Sequence, residues 1–320
     1  MRKIYCLVLV YLAAPLVLSG QTCCSGGVPI SNSLGLPFSD GKALQINLSY
    51  DYNKLNTLIQ DRKKIDDDSR TRLTHTAMLQ LGFSLSKKMS LEVLLPYIKQ
   101  DRIIRQFGNE DFTSTSGLGD ISTLLSYNFL KSTANQSFLM GIGLKAPTGA
   151  IDNKSSQGIV LNSDLQPGTG AWDILSLLRY TKSFQTHKNV TFFSNLIVNF
   201  KGTNKNFQPD LTYKFGNEQQ LNLGINAQGF ALKRLWNMGL GTRFRNVMAN
   251  ESNYQLIISS GGRWIFGTAN LTHWIIPSKT SINLAGDLPL HTSVSGLQNV
   301  PTYRINVSFY SLIEYTKKEK

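Results

Sequence analysis

The chain has 320 residues, a formal net charge of +13 and a mean hydropathy of −0.14. Past the N-terminus it has no apolar run of about 18 residues, so it is not a bundle of membrane-crossing helices; a barrel escapes that test because only every second residue meets lipid. Its Lys and Arg are scattered over turns and strand ends, with no basic helix and no aromatic–basic motif, which argues against a nucleic-acid partner and for anionic headgroups or a weakly basic lumen.

Arg2 and Lys3 precede an apolar run over 4–18 that closes on Ser19 and Gly20. This is the layout of an export signal spanning 1–20. Cys6 lies inside it, and Cys23 and Cys24 are adjacent just beyond, so there is neither a long-range disulfide framework nor a zinc spacing. Polar Gly20-Gln21-Thr22 disfavours lipid attachment at Cys23; that alternative and a vicinal disulfide both stay open. Residues 21–41, rich in Gly, Ser and Pro, read as an irregular periplasmic lead-in.

From residue 42 to 315 the chain alternates with period two. Leu44, Ile46, Leu48, Tyr50 and Tyr52 share one parity, and Gln45, Asn47, Ser49 and Asp51 the other. After an expected long polar loop at 54–70, strand two places Leu73, Ala77, Leu79, Leu81, Phe83 and Leu85 outward, and strand three Leu91, Val93, Leu95 and Tyr97. A second long loop is expected at 99–116. In the stretch 117–149, Ile121, Leu125, Tyr127 and Phe129 match Phe138, Met140, Ile142, Leu144 and Ala146 across a polar turn, with Leu124 and Leu139 as exceptions. This is a hairpin whose arms suit the about 9–11 residues that a tilted strand needs to cross a bilayer.

A third long loop is expected at 150–170. Strand six carries Trp172, Ile174, Leu178 and Tyr180; strand seven Val190, Phe192, Leu196, Val198 and Phe200; strand eight Leu221, Leu223, Ile225 and Ala227, with 211–215 as an extension above the membrane. Strand nine carries Trp236, Met238, Leu240 and Phe244. Strand ten falls within 254–275 with its register open, because Trp264 and Phe266 argue for one face and Ile265, Ala269 and Leu271 for the other. Strand eleven carries Ile282, Leu284, Leu288 and Leu290, and the last strand Tyr303, Ile305, Val307, Phe309, Ile313 and Tyr315, before a polar tail at 316–320. Aromatics near strand ends, among them Tyr50, Tyr97, Trp172, Trp236, Trp274 and Tyr303, suit interfacial girdles.

The fold class that follows is all-β: a transmembrane, antiparallel, up-and-down β-barrel of about 12 strands, with short periplasmic turns and long extracellular loops. A soluble β-sandwich is the alternative, and it lacks anything to cover so many long strands. Export plus a barrel places the chain in the outer membrane of a Gram-negative bacterium.

Several segments together resemble a known family: Leu95-Pro96-Tyr97, Ser116-Gly117-Leu118-Gly119-Asp120, Leu144-Lys145-Ala146-Pro147-Thr148-Gly149, Gly168-Thr169-Gly170-Ala171-Trp172-Asp173 and Gly286-Asp287-Leu288-Pro289-Leu290. Their order and spacing resemble the MetA-pathway of phenol degradation family of outer-membrane transporters, and the opening Cys23-Cys24-Ser25-Gly26-Gly27 resembles its Bacteroidetes-type members. The resemblance implies an outer-membrane barrel that moves hydrophobic or aromatic compounds, and it carries over no catalytic residue. The chain departs from the family's pattern at His291.

On the parity above, the lumen receives Arg72, Glu92, Lys145, Arg179, Arg243, Arg245, Asp287 and Arg304, with Asp51, Asp173, Lys214 and Glu314 on the same side. Inward charges either brace the wall by pairing or form a slightly basic constriction, for which Arg243 and Arg245 are the strongest local feature. Asp120 and Asp173 follow Gly-rich approaches and either order the extracellular mouth or serve as ordinary turn residues. Asp66-Asp67-Asp68 reads as a solvated run rather than a cation site. His75, on an outward position, is the one candidate for a lipid acyl hydrolase. No cofactor, metal or catalytic set is expected. The partners expected are outer-membrane lipid and lipopolysaccharide, a small solute and the barrel-assembly machinery. A channel or transporter for small, apolar or aromatic solutes is the first reading, with an outer-membrane hydrolase and a structural or adhesion barrel as rivals.

Overall fold

Alternation carries through twelve strands: β1 (Ala43–Gln60), β2 (Arg70–Ser84), β3 (Met89–Gln106), β4 (Ser122–Asn128), β5 (Gln136–Lys145), β6 (Asp173–Ser183), β7 (Val190–Phe200), β8 (Glu218–Phe230), β9 (Trp236–Val247), β10 (Gly262–Ile276), β11 (Thr280–Val294) and β12 (Leu297–Glu314). The coordinates are a computed structural model that describes residues 43–130, 135–184, 189–208, 211–230 and 235–314. The expected export signal, the lead-in with Cys23 and Cys24, and the tail lie outside the described residues. Neighbouring strands pair antiparallel in chain order, and β1 pairs with β12 from Ala43↔Glu314 to Gln60↔Leu297, which closes the cylinder. Closure is what hydrocarbon demands, since an open edge there leaves N–H and C=O groups unpaired at several kcal/mol each.

Parity decides the medium on each side. Outward Ile142 is 64% exposed and Leu240 54%, whereas inward Glu92 and Arg243 are 2% and 3%. Apolar side chains outside and charges inside invert a soluble barrel and fit a lipid surround. Strand β10 resolves the same way: Trp264 and Phe266 are buried inside, while Ile265 and Leu271 share the outward parity. Trp274 departs from its expected place in a girdle. It stacks edge-on against Tyr310, whose hydroxyl donates to buried Gln45, so it lies inside the end that carries the short turns.

The turns at 85–88 and 277–279 are short, whereas the opposite end carries 146–172, 201–217 and 248–261. That asymmetry assigns the first end to the periplasm and the second to the exterior. Two expected loops and one expected strand extension are corrected. Most of 54–70 is strand: the inward parity of Gln45 and Asp51 runs on through buried Leu55 and Ile59, while Lys54, Asn56 and Gln60 take the other face, so the apolar and polar sets exchange faces and hide the continuation of β1. The stretch 99–116 is not a loop either: the upper half of β3 pairs with Asn109–Leu118 from Tyr97↔Leu118 to Gln106↔Asn109, and 119–121 hands the chain on to β4. Residues 211–215 do not extend β8. Leu211–Lys214 joins Thr203–Gln208, Glu251–Ser252 and Gln255–Leu256 in a separate small sheet.

One seam of the wall is incomplete. The β11 to β12 ladder stops at Asp287↔Arg304, although both strands continue, to Val294 and from Leu297. Pro289 and Pro301 lie in the unpaired lengths, and neither has an N–H to donate. Trp264, Phe266, Val294, Val300 and Ile59 pack together on the inner side.

Candidate functional site

Three of the quoted motifs meet at the extracellular end of the barrel. Asp120 is buried there; its Oδ1 accepts the Gly149 N–H at 3.0 Å, and its Oδ2 accepts the Thr169 N–H at 2.9 Å and the Thr169 hydroxyl at 2.6 Å. Lys145 Nζ bridges Asp120 at 2.8 Å and Asp173 at 3.0 Å, and Lys201 reaches Asp173 at 3.1 Å. Asp173 also accepts the Gly202 N–H at 3.1 Å. Burial pulls the Lys201 ammonium below the usual lysine range, and the Asp173 carboxylate opposes the shift. The backbones press together at this point: a Cβ on Gly149 would sit 2.6 Å from Gly168 Cα and 2.8 Å from the Gly119 carbonyl carbon. The separate sequence motifs are therefore one node, in which two carboxylates and two ammoniums tie 146–149 and 167–173 to the wall.

The segment between those anchors folds over and into the mouth. It contains a short 3-10 turn, Ser163–Leu165, with Leu165 fully buried and Leu161 nearly so. Gln166 holds the segment's shape by donating to the carbonyls of Asn153 at 3.0 Å and Leu161 at 2.9 Å and by accepting the Asn153 N–H. Arg72, inward on β2, pins it to the wall: Nη1 meets the Asp164 carboxylate at 2.9 Å, and the guanidinium also donates to the Asp164 carbonyl and the Gln100 side chain. Thr115 Oγ1 donates to the Leu165 carbonyl at 2.6 Å. Asp164 and Gln166 escape sequence reading because nothing periodic marks them; the one signal is the apolar set Ile159, Val160, Leu161 and Leu165 in a mostly polar loop. Beside the plug, Arg70, Arg72, Arg102, Asp164, Tyr213 and Asn299 help line a cavity of 480 Å³.

Deeper in the lumen the expected cations are paired. Arg304 Nε meets Asp51 at 2.7 Å, Arg243 Nη2 meets Asp287 at 3.0 Å, and the Arg243 guanidinium lies 4.4 Å from the Phe266 ring centre. Arg245 meets Glu218 at 2.7 Å and lies over Trp264. Arg243 and Arg245 are thus neutralised by carboxylates instead of forming a bare positive constriction. Glu92 accepts the Gln80 amide at 2.8 Å, and Arg179 donates to Asn195 at 3.0 Å. Two expected lumen residues lie elsewhere. Lys214 sits in the small extracellular sheet against Glu251, and Glu314 lies at the periplasmic rim, half-exposed, against Lys279. Both were misplaced because parity says which face a residue takes, not how high it stands.

The exceptions Leu124 and Leu139 have a structural explanation. They point inward with Met78, Leu94, Leu175, Leu177 and Ile197, forming one apolar patch on the inner wall of β2 to β7. Inward Gly141 and Gly143 on β5 leave room for Leu124, which lies against both. A second cavity, of 190 Å³, is polar and is lined by Asn47, Ser49, Arg179, Asn195, Asn222, Asn270, Asn283 and Asn306, among others.

His75 lies between Tyr50, whose hydroxyl is 2.6 Å from Nδ1, and Asp101, 3.9 Å from Nε2. Its neighbours are thus the rings of Tyr50 and Tyr52 and the Asp101 carboxylate. Asp67 accepts the backbone N–H and the hydroxyl of Ser69, which hold its carboxyl below the usual range. No cluster of three or more His, Cys, Asp or Glu side chains that could share a metal ion is found among the described residues.

A closed antiparallel cylinder, greasy outside and charged inside, is an outer-membrane β-barrel protein. The sequence profile of the MetA-pathway of phenol degradation family matches residues 71–268, and the chain belongs to that family. Among solved structures it is similar to the COG4313 outer membrane channel from Pseudomonas putida F1, with a TM-score of 0.68 at 14% identity over 87% of this chain and 97% of that one. It is also similar to the β domain of the Bordetella autotransporter BrkA, with a TM-score of 0.50 at 10% identity over 85% of this chain and 100% of that one. No curated protein sequence matches it.

Proposed function

We propose that this protein is a passive outer-membrane channel for small apolar solutes, aromatics included, held here in a closed state. The observation that carries the reading is the inward patch of Met78, Leu94, Leu124, Leu139, Leu175, Leu177 and Ile197. A water-filled porin lines its lumen with polar groups. A patch of leucines there discards that hydration and favours a solute that sheds water. Family membership and the likeness to a barrel described as an outer membrane channel support the same reading. The paired charges Asp51, Arg304, Asp287, Arg243, Arg245 and Glu218 brace the opposite wall, and Asp120 and Asp173 position the mouth. The chain acts by conduction, and the His75 ring is engaged by Tyr50 and Asp101. Lipopolysaccharide and the barrel-assembly machinery are its partners in the membrane.

The test is flux into liposomes that hold the purified protein. Phenol-sized aromatics are expected to equilibrate faster than sugars of similar mass. Leu177→Asn together with Leu124→Asn is expected to reverse that order without unfolding the barrel. Equal aromatic flux in empty and protein-loaded liposomes, with the plug released as described in the Discussion, would sink the proposal.

A further inference from the structure

A site on the outer wall stands apart from the lumen. At the extracellular edge of the apolar belt, Leu221, Phe244 and Ile265 are ladder partners and point outward, with Leu196 beside Leu221. One row further out the ladder reads Gln219, Asn246, Arg263 and Ser293. The change from apolar to polar marks the level where acyl chains give way to headgroups. A groove of 370 Å³ lies at this step, floored by the apolar row and edged by Arg62, Arg263, His291 and Ser293.

The groove is built rather than incidental. Arg62 belongs to the turn after β1, yet it reaches β11 across β12. Asp61 sets this up. It adopts a left-handed φ of 58° and clamps the tip of the β11 to β12 hairpin: its N–H donates to the Gly296 carbonyl at 3.0 Å, its carboxylate accepts the Gly296 N–H at 2.9 Å, and its carbonyl accepts the Val294 N–H at 2.8 Å. Arg62 Nε then lies 3.4 Å from Ser293 Oγ, and Ser293 is the ladder partner of Arg263. Two guanidiniums from distant parts of the chain therefore flank one serine. Among the described residues no carboxylate pairs with either, in contrast to the matched cations of the lumen. The guanidinium fork suits phosphate oxygens, and basic pockets at headgroup level recruit anionic lipid.

We propose that this groove binds the lipid A part of lipopolysaccharide, with a phosphate held between Arg62 and Arg263 and an acyl chain along Leu196, Leu221, Phe244 and Ile265. Lipid A joins phosphate to several acyl chains in the outer leaflet, so it offers both halves of what the groove presents. The assignment rests on the proposed contact with lipopolysaccharide and gives it an address. The charge sits on the exterior level, which a periplasmic-leaflet phospholipid does not reach.

Native mass spectrometry of the full-length protein, extracted in mild detergent and mixed with lipid A or with phosphatidylglycerol, tests it. Wild-type protein is expected to retain lipid A against an equal concentration of phosphatidylglycerol. Arg62→Ala with Arg263→Ala is expected to lower lipid A occupancy about tenfold or more, the effect of losing one charge-assisted anchor. Arg263→Gln, on an exposed side chain, carries the same test if the double variant fails to fold. Unchanged lipid A occupancy in folded variants overturns this site while leaving the partner in place. Wild-type protein that holds no lipid A, or loses it to phosphatidylglycerol, overturns the partner as well.

Discussion

The plug over the mouth makes the sharpest prediction. Arg72 and Asp164 pair at 2.9 Å with side-chain exposures of 8% and 16%, so solvent screens the contact little. Asp164→Ala deletes the carboxylate and leaves Arg72 with the side chain of Gln100 and the residue-164 carbonyl. The bonds of Gln166 to Asn153 and Leu161 lie within the segment, so it keeps its shape and loses chiefly its hold on the wall. A hydrogen bond to a charged group contributes about 1.5–3 kcal/mol. Taking about 2 kcal/mol, the balance between seated and released plug shifts roughly 30-fold toward release. Planar-bilayer recording of wild-type and Asp164→Ala protein reads this as a rise in open probability with little change in single-channel conductance. Arg72→Ala is expected to act in the same direction, and the double variant to add little, because the two share one contact. If Asp164→Ala and wild-type show the same open probability, the segment is a fixed lid and the gating argument fails.

Three other substitutions test the frame. Gly149→Ala forces a Cβ to within 2.6 Å of Gly168 Cα; overpacking of this kind costs about 1–3 kcal/mol, and a lower thermal midpoint in detergent checks it. Lys145→Met strips the shared ammonium from buried Asp120 and Asp173 and is expected to cost about 3–5 kcal/mol, read as loss of the compact, heat-modifiable band in unboiled gels. Leu240→Arg, outward on β9, is expected to cost about 2–4 kcal/mol and to reduce the assembled protein recovered in outer membranes. A mild effect at Leu240 would contradict the placement of lipid against that face.

The twelve strands were legible because each repeats one instruction: apolar at every second residue, with a polar partner between. The breaks in that pattern were where reading stopped. Beyond Asn53 the inward parity turns apolar at Leu55 and Ile59 while polar Lys54, Asn56 and Gln60 take the other face, so strand looked like loop. Trp264 and Ile265 are both apolar and adjacent, and only pairing with Arg245 and Phe244 tells which is inside. Among candidate residues, Arg72, Glu92, Lys145, Arg243, Asp287 and Arg304 are buried, and Arg179 and Arg245 alternate in step with buried Leu177 and Arg243. What parity does not contain is a partner. Asp164, the partner of Arg72, comes from a distant loop and carries no periodic mark, whereas Glu218, the partner of Arg245, opens the neighbouring strand β8 two residues from the position that faces Arg245.

Local alternation, then, was enough to determine a closed cylinder with lipid outside, because the choice of face at each position needs only the nearest neighbours along one strand. Three things belong to the tertiary structure alone: the convergence of Gly119, Gly149 and Gly168 into one node, the seating of Asp164 against Arg72, and the reach of Arg62 across the hairpin tip to Ser293. Each joins residues from different loops or strands, far apart along the chain. Their geometry depends on how far one strand slides against the next, which is set by the summed ladder around the whole barrel and is written in no single segment.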